Sequence, residues 1–187
     1  MGIKYKLEFI SHAHFGSGTA RGLADNGVVR DALGNPYVPG STIKGRLRYY
    51  CEKILNERGE NYCTPFTNNP CKRCKICSIF GFAGGIGGKA VFSDALLIDD
   101  LREYGKFCFF TRDGIMISRG RGVTVEGHLF KTEMLLPGLV FTGEIEGNLT
   151  EDEKQLIREG LQAITHIGGN KSRGLGRCKF TIEEVNQ

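Results

Sequence analysis

Three stretches of this chain carry residue types that suit chemistry. From Gly168 to Cys178 the sequence reads Gly-Gly-Asn-Lys-Ser-Arg-Gly-Leu-Gly-Arg-Cys, with four glycines and three cations, Lys171, Arg173 and Arg177. Glycine admits positive φ and lets a ligand approach the main chain, here the backbone at Gly169. Interleaved Lys and Arg supply charge and forked donors that match phosphate. The segment therefore reads as a cradle for a polyanion, set against the plain alternative of a flexible, solvated connector. The second stretch is Cys63-x7-Cys71-x2-Cys74-x2-Cys77, four thiols with Lys72, Arg73 and Lys75 among them. Tight Cys-x-x-Cys turns suit a closed tetrahedral zinc site of structural type. An iron–sulfur cluster is the competitor, but the run lacks a following Cys-Pro and a second ligand set.

The third stretch is Pro39-Gly-Ser-Thr-Ile-Lys-Gly-Arg-Leu-Arg48, which reads as a helix entrance. Ser41 is placed to cap it, and free N–H groups with a positive dipole end make a ready phosphate site. Lys44 and Arg48, four apart, share one side of that helix. Asp25 is the only carboxylate between Glu8 and Asp31 and sits in a glycine-bearing loop. It can hold a divalent ion or serve as an ordinary turn residue, and its own neighbourhood does not decide between them. Asp31, opening Leu-Gly-Asn-Pro36, fits the turn reading. His12 and His14 suit general acid–base work, but no partner set completes it, and structural roles fit them better.

These residues need a scaffold. Lys4 to Ile10 alternates as a first strand, and residues 28–30 and 37–38 form a short hairpin. A helix from Ser41 places Ile43, Leu47, Cys51, Ile54 and Leu55 on one face, with Gly59 beyond its end. Lys89 to Ile98 is the second core strand and Leu139 to Glu146 the third. Thr150-Glu-Asp-Glu153 is a capping box opening a helix with Leu156, Ile157, Leu161 and Ile164 inward. Lys179 to Glu184 closes the order β-α-β-β-α-β. That order predicts an α+β, ferredoxin-like (RRM-like) core whose outer sheet face needs cover from excursions, a partner or RNA. A cysteine insert spans about 60–80, and a basic, elaborated excursion about 104–135.

With 187 residues the chain suits one domain, 1–187. Its 27 glycines are about twice the usual share of ~7% and lie mostly in loops. A net charge of +4 does not identify a nucleic-acid binder, but the cations gather near the glycines and cysteines, suggesting one basic face. No apolar run approaches the ~20 residues of a membrane span. Seven cysteines behind a strand-like N-terminus point to reduced thiols in the cytoplasm rather than a disulfide framework.

Together these segments resemble the RAMP superfamily of CRISPR effector proteins, in particular the backbone subunit of type III complexes of the Csm and Csx kind. The carrying residues are His14-Phe-Gly-Ser-Gly18, Asp25-Asn-Gly-Val-Val-Arg-Asp31, the Pro39–Arg48 run, Phe92-Ser-Asp-Ala95, Ile117-Ser-Arg-Gly-Arg121, Leu129-Phe-Lys-Thr-Glu133 and Gly168 to Gly176. The resemblance implies a ferredoxin-like core with a protruding β-rich thumb and a zinc-binding insert, stacked as copies along a guide CRISPR RNA beside other effector subunits. It implies that the subunit cuts paired target RNA with a divalent metal, Mg2+ or Mn2+, and that Asp25 holds the place of the cleaving aspartate. Ser41, Lys44, Arg48, Gly169, Lys171 and Arg173 match its guide-binding pattern. Arg119 and Arg121 fall in the thumb, where the familiar Ile-Asp-Arg is Ile117-Ser118-Arg119 here. A non-catalytic guide scaffold and a metal-independent guide-processing endoribonuclease are the alternatives.

Overall fold

The computed structural model describes residues 2–183 except 21, 23, 64–69, 72 and 86. Part of the cysteine insert, Lys72 and the expected strand end at Glu184 thus lie outside the described residues. Strand β1 (Ile3–Phe9) is followed by β2 (Tyr37–Val38), α1 (Gly40–Glu57), α2 (Lys75–Phe80), β3 (Val91–Phe92), β4 (Ala95–Leu97) and α3 (Asp99–Arg102). Then come β5 (Phe109–Ile117), β6 (Thr124–Leu135), β7 (Val140–Glu146), α4 (Glu151–Ala163) and β8 (Cys178–Glu183). The main sheet runs β2-β4-β7-β1-β8 with antiparallel pairs, and β3 pairs β7. The central pair β1 and β7, flanked by the last strand and by β3/β4, is the arrangement expected of a ferredoxin-like core.

The period-2 pattern of β1 explains its placement. Ile3, Tyr5, Leu7 and Phe9 are buried, and the residues between them are exposed. They meet Ile43, Leu47, Cys51 and Leu55 of α1 and Leu156, Ile157 and Leu161 of α4 in one core. The two helices cross where α4 carries Gly160. A Cβ there would lie 2.6 Å from Leu47 Cδ1 and 2.9 Å from Cys51 Sγ, so a small residue sets their spacing. The outer sheet face is exposed in the single chain. Lys4, Lys6, Glu8, Lys179 and Thr181 line it, with Val91 and Leu96 exposed on the β3 and β4 strands.

Two local expectations are corrected. The single strand 89–98 is broken at Ser93 and Asp94. Ser93 Oγ accepts from the Glu144 N–H at 2.8 Å and lies 3.0 Å from the Glu144 carbonyl, while Asp94 turns away toward α1. Ser41 is not the cap of α1. Pro39 stands in the cap position without a side-chain bond, and the carboxylate of Asp94 accepts from the Gly40 N–H at 2.7 Å. Gly40 is required because a Cβ would press on the carbonyl oxygens of Phe92 and Ser93, at 2.5 and 2.9 Å. A cap supplied from 54 residues away leaves Ser41 exposed in the first turn.

The capping box is present as expected. Thr150 Oγ1 accepts from the Glu153 N–H at 3.3 Å, and Glu153 Oε2 accepts from the Thr150 N–H at 2.9 Å. Glu153 also accepts from Ser78 Oγ at 2.5 Å and pairs with Lys89 at 3.2 Å, fastening the cysteine insert to α4. Burial raises the Glu153 pKa, but bonds from Ser78, the Thr150 N–H and Lys89 outweigh it, and the net lies below the ordinary 4.5. A depressed carboxylate contributes stability that is complete above its unfolded value and lost as pH falls through the folded one. Glu153→Gln is therefore expected to cost about 2 kcal/mol at pH 7, from weakened charge-assisted bonds. The gap to the native chain should close as denaturant midpoints are followed below pH 4.5.

Candidate nucleic-acid interface and metal centre

The glycine-rich loop after α4 folds back against the segment that follows β1. Gly169 N–H donates to the His14 carbonyl at 2.8 Å, Gly176 N–H to His12 at 2.7 Å, and Ile167 N–H to Gly176 at 2.9 Å. Gly168 has φ +94° and a Cβ there would meet the His14 carbonyl oxygen at 2.7 Å, so glycine is what the close approach needs. Asn170 follows in the left-handed region at φ 55° and starts a tight 3-10 turn, Lys171–Arg173.

This loop and the first turns of α1 face one another across a groove of about 470 Å³. Ser41, Thr42, Gly45, Arg46 and Tyr49 form the helix wall, and Gly168, Gly169 and Lys171 the loop wall, with His14 to Gly16 beneath. No carboxylate is among the described lining residues. Nothing lies within 4 Å of a Cβ built on Gly45, so the helix wall is open at its midpoint. Arg46 joins the two walls. Its Nε donates to the His166 carbonyl at 2.9 Å, and its guanidinium lies over Tyr49 and Tyr50 at 5.1 and 4.8 Å.

The remaining cations lie elsewhere. Arg173 borders a second cavity of about 420 Å³ under the ribbon, with Arg112, Phe130 and Met134. Lys44 and Arg48 do share a side of α1, but that side faces β3 and the C-terminal end of α2. Lys44 Nζ sits 5.8 Å from the Phe92 ring centre, while Arg48 pairs with Glu52 at 2.9 Å and donates to the Gly81 carbonyl at 3.2 Å. Arg119 and Arg121 are exposed in the turn joining β5 and β6, roughly 25–30 Å along the ribbon from its base. Sequence reasoning missed Arg46 and Tyr49. Positions 42, 45, 46 and 49 share a helical face, and that spacing was the available signal.

Asp25 lies outside the groove, at the edge of the β5–β6 ribbon. It is exposed, its N–H donates to the Lys131 carbonyl at 2.9 Å, and its Oδ2 accepts from the Lys131 N–H at 2.7 Å. The loop that supplies His14 to Gly16 to the groove thus also presents Asp25 beside the ribbon. Asp31 is a turn residue as expected, accepting from Leu33 and Asn35 N–H groups at 2.9 and 2.8 Å. The histidines do not act together. His14 Nδ1 donates to the Glu133 carbonyl at 2.7 Å, and the His12 ring lies 5.3 Å from that of Phe110.

The profile of the RAMP superfamily matches residues 6–179. The chain belongs to that superfamily. It is 30% identical over 169 residues to the CRISPR system Cms endoribonuclease Csm3 of Methanocaldococcus jannaschii, covering 85% of this chain and 68% of that protein. With Csm3 of Streptococcus thermophilus it shares 27% over 186 residues, covering 86% and 76%. Among solved structures, a chain of the type III-B Cmr-beta complex bound to cognate target RNA superposes with a TM-score of 0.74 at 14% identity, covering 97% of each chain. A chain of the apo Cmr-beta complex gives 0.72 at 13%. These two likenesses establish the α+β fold alone.

The four cysteines converge as their spacing implies. All four Sγ atoms lie within 4.8 Å of one another, near the S···S separation of about 3.8 Å that Zn–S bonds of about 2.3 Å require. The turns aim N–H groups at the sulfurs: Cys71 at Cys63 (3.1 Å), Cys74 at Cys71 (3.2 Å) and Cys77 at Cys74 (3.4 Å). Such donors, first the Arg73 N–H with Cys63 and the Cys74 N–H adding to it, bring the Cys71 thiol down to about 6. A thiolate-favouring set of this shape can hold a metal ion. The segment is not a loose appendage, since Ile76, Ile79 and Phe80 of α2 enter the main core. No described helix is long and apolar enough to cross a membrane.

Proposed function

We propose that this chain is the backbone subunit of a type III CRISPR effector complex, binding guide CRISPR RNA along its surface and cutting complementary target RNA. The observation that carries the reading is the groove, in which the glycine-rich loop and the start of α1 face one another with cations and no described acid. Such a surface suits a ribose-phosphate strand, which needs backbone N–H groups, hydroxyls and cations without like-charged acids. The family and the two Csm3 relatives point the same way.

In this reading the chain is one RAMP domain, 1–187, working in the cytoplasm with copies of itself and other effector subunits. Ser41, Gly169 and Lys171, with Arg46, hold guide phosphates, and Lys44 and Arg48 extend the basic side of α1. Arg173, Arg119 and Arg121 serve the paired duplex along the ribbon. Zinc at Cys63, Cys71, Cys74 and Cys77 is structural, since four thiolates leave no open position. Cutting uses a divalent ion, Mg2+ or Mn2+, which supplies charge neutralisation at the scissile phosphate. Asp25 suits that role because it is exposed with one carboxylate oxygen engaged by the Lys131 N–H. Mg2+ commonly takes one or two carboxylates, completing its shell with substrate phosphate and water.

The groove is tested by salt titration of guide binding. Lys171→Ala should weaken unrelated guide sequences alike, roughly five- to tenfold, as loss of one charged contact implies. The slope of log affinity against log salt should fall by about 0.7, one phosphate's share on a single strand. A loss confined to some sequences, or an unchanged slope, would place the guide elsewhere.

A further inference from the structure

We propose that Glu133 is the positioning residue that fixes the register of the Asp25 loop against the ribbon, and so places the cleaving carboxylate. This rests on the reading of Asp25 as the cleaving acid. Residues 131–133 of β6 are paired on the side away from β5 by the loop itself. Lys131 exchanges bonds with Asp25, its carbonyl also accepts from the Asn26 N–H at 3.2 Å, and Asn26 forms a parallel bridge with Thr132.

All four polar atoms of Glu133 then serve the loop. Its N–H donates to the Asn26 carbonyl at 3.0 Å, and its carbonyl accepts from His14. Its Oε2 accepts from the Val28 N–H at 2.9 Å, and its Oε1 pairs with the Arg30 guanidinium. That guanidinium also stacks on Phe109 at 3.4 Å, and both charged side chains are largely buried.

The contacts around Asp25 are exposed bonds to the main chain of Lys131, which compete with water and would be equally satisfied two residues out of step, since alternate residues of β6 turn their N–H and C=O away from β5. Such a slip would carry Asp25 along the ribbon edge. The buried pair removes the ambiguity, because only one register offers Glu133 both the Val28 N–H and the Arg30 guanidinium. Stability alone gives little reason for it, since apolar replacements of buried ion pairs are often as stable. A fixed register is the use that fits.

The test compares native, Asp25→Asn, Glu133→Gln and Arg30→Lys chains in assembled complexes, by single-turnover cutting at saturating target. Hydrogen exchange at the Asp25, Asn26 and Lys131 amides provides a readout independent of cutting. Glu133→Gln should slow cutting at least tenfold and speed those amides at least tenfold, with guide and target affinity within twofold and exchange in β1 and β7 unchanged. Arg30→Lys, which keeps the charge and loses the planar guanidinium stacked on Phe109, should give a smaller fall of about threefold. Native rates and protection in Glu133→Gln, beside an inactive Asp25→Asn, would overturn the assignment while leaving Asp25 in place. If Glu133→Gln fails to fold, Arg30→Lys decides: slower cutting with loosened loop amides supports the proposal, and native behaviour overturns it. A fully active Asp25→Asn would instead remove the reading beneath it.

Discussion

Asp25→Asn is expected to leave guide binding within about twofold of native and to slow cutting of complementary RNA by roughly 10²–10³-fold, the scale seen when one preorganised electrostatic group is removed from an active site. The substitution is informative because of how Asp25 is held. Its Oδ2 accepts from the Lys131 N–H, and an asparagine carbonyl oxygen can accept the same bond. The loop should therefore keep its place while the negative charge is lost. Asp25→Ala removes both and serves as the harsher companion. Cutting by the native complex should vanish with EDTA and return with Mg2+ or Mn2+, and the Asn variant should recover little at any concentration of either. Should it cut at the native rate, Asp25 is a ribbon-edge turn residue and the chain is a guide scaffold. Guide binding lost in parallel would mean that the loop had moved and the groove with it.

What the sequence discloses and what it hides divide along the range of the interactions. The alternation in β1, the apolar faces of α1 and α4 and the Thr150–Glu153 box all use neighbours within four positions, so they are legible from spacing. The cysteines are legible for the same reason, because Cys-x-x-Cys turns bring two ligands together before any tertiary contact forms. The terminal glycine loop and the start of α1 each read from sequence as an anion site, and the fold brings them to one groove. The missed features depend on distant partners. Asp94 caps α1 across 54 residues, which displaces Ser41 from the role its type suggests and breaks the expected strand at Ser93. Arg30 and Glu133, 103 apart, look like unremarkable surface charges until the ribbon folds beside the loop. Spacing puts Lys44 and Arg48 on one side of α1, but the direction of that side depends on where β3 and the end of α2 dock.

Disruption of the candidate metal centre is the other large expected effect, and it should reach well beyond the cysteines. Cys77→Ser replaces a buried thiol of the candidate cluster within α2, whose Ile76, Ile79 and Phe80 lie in the core and whose Ser78 holds Glu153. Zinc sites in small polar segments contribute on the order of 10–16 kcal/mol. A loss of about 5 kcal/mol, with three ligands still present, would lower Tm by about 15 °C in a chain this size. Cys178→Ser is the control, since that thiol is buried away from the cluster and burial pushes it up to about 12. It should cost about 1–3 kcal/mol, the penalty of burying a more polar group. Bound metal, counted by mass spectrometry of the native assembly, should fall below one ion per chain only in Cys77→Ser. Thiol labelling supplies the finer readout. Near pH 7 the metal-free chain should be alkylated first at Cys71, whose thiol lies at about 6, and scarcely at Cys51 or Cys178, both pushed to about 12 by burial. Added zinc should protect Cys71. If labelling there is fast and indifferent to zinc, and Cys77→Ser melts with the native protein, the four thiols are not a metal centre and α2 is held to the core by its apolar face alone.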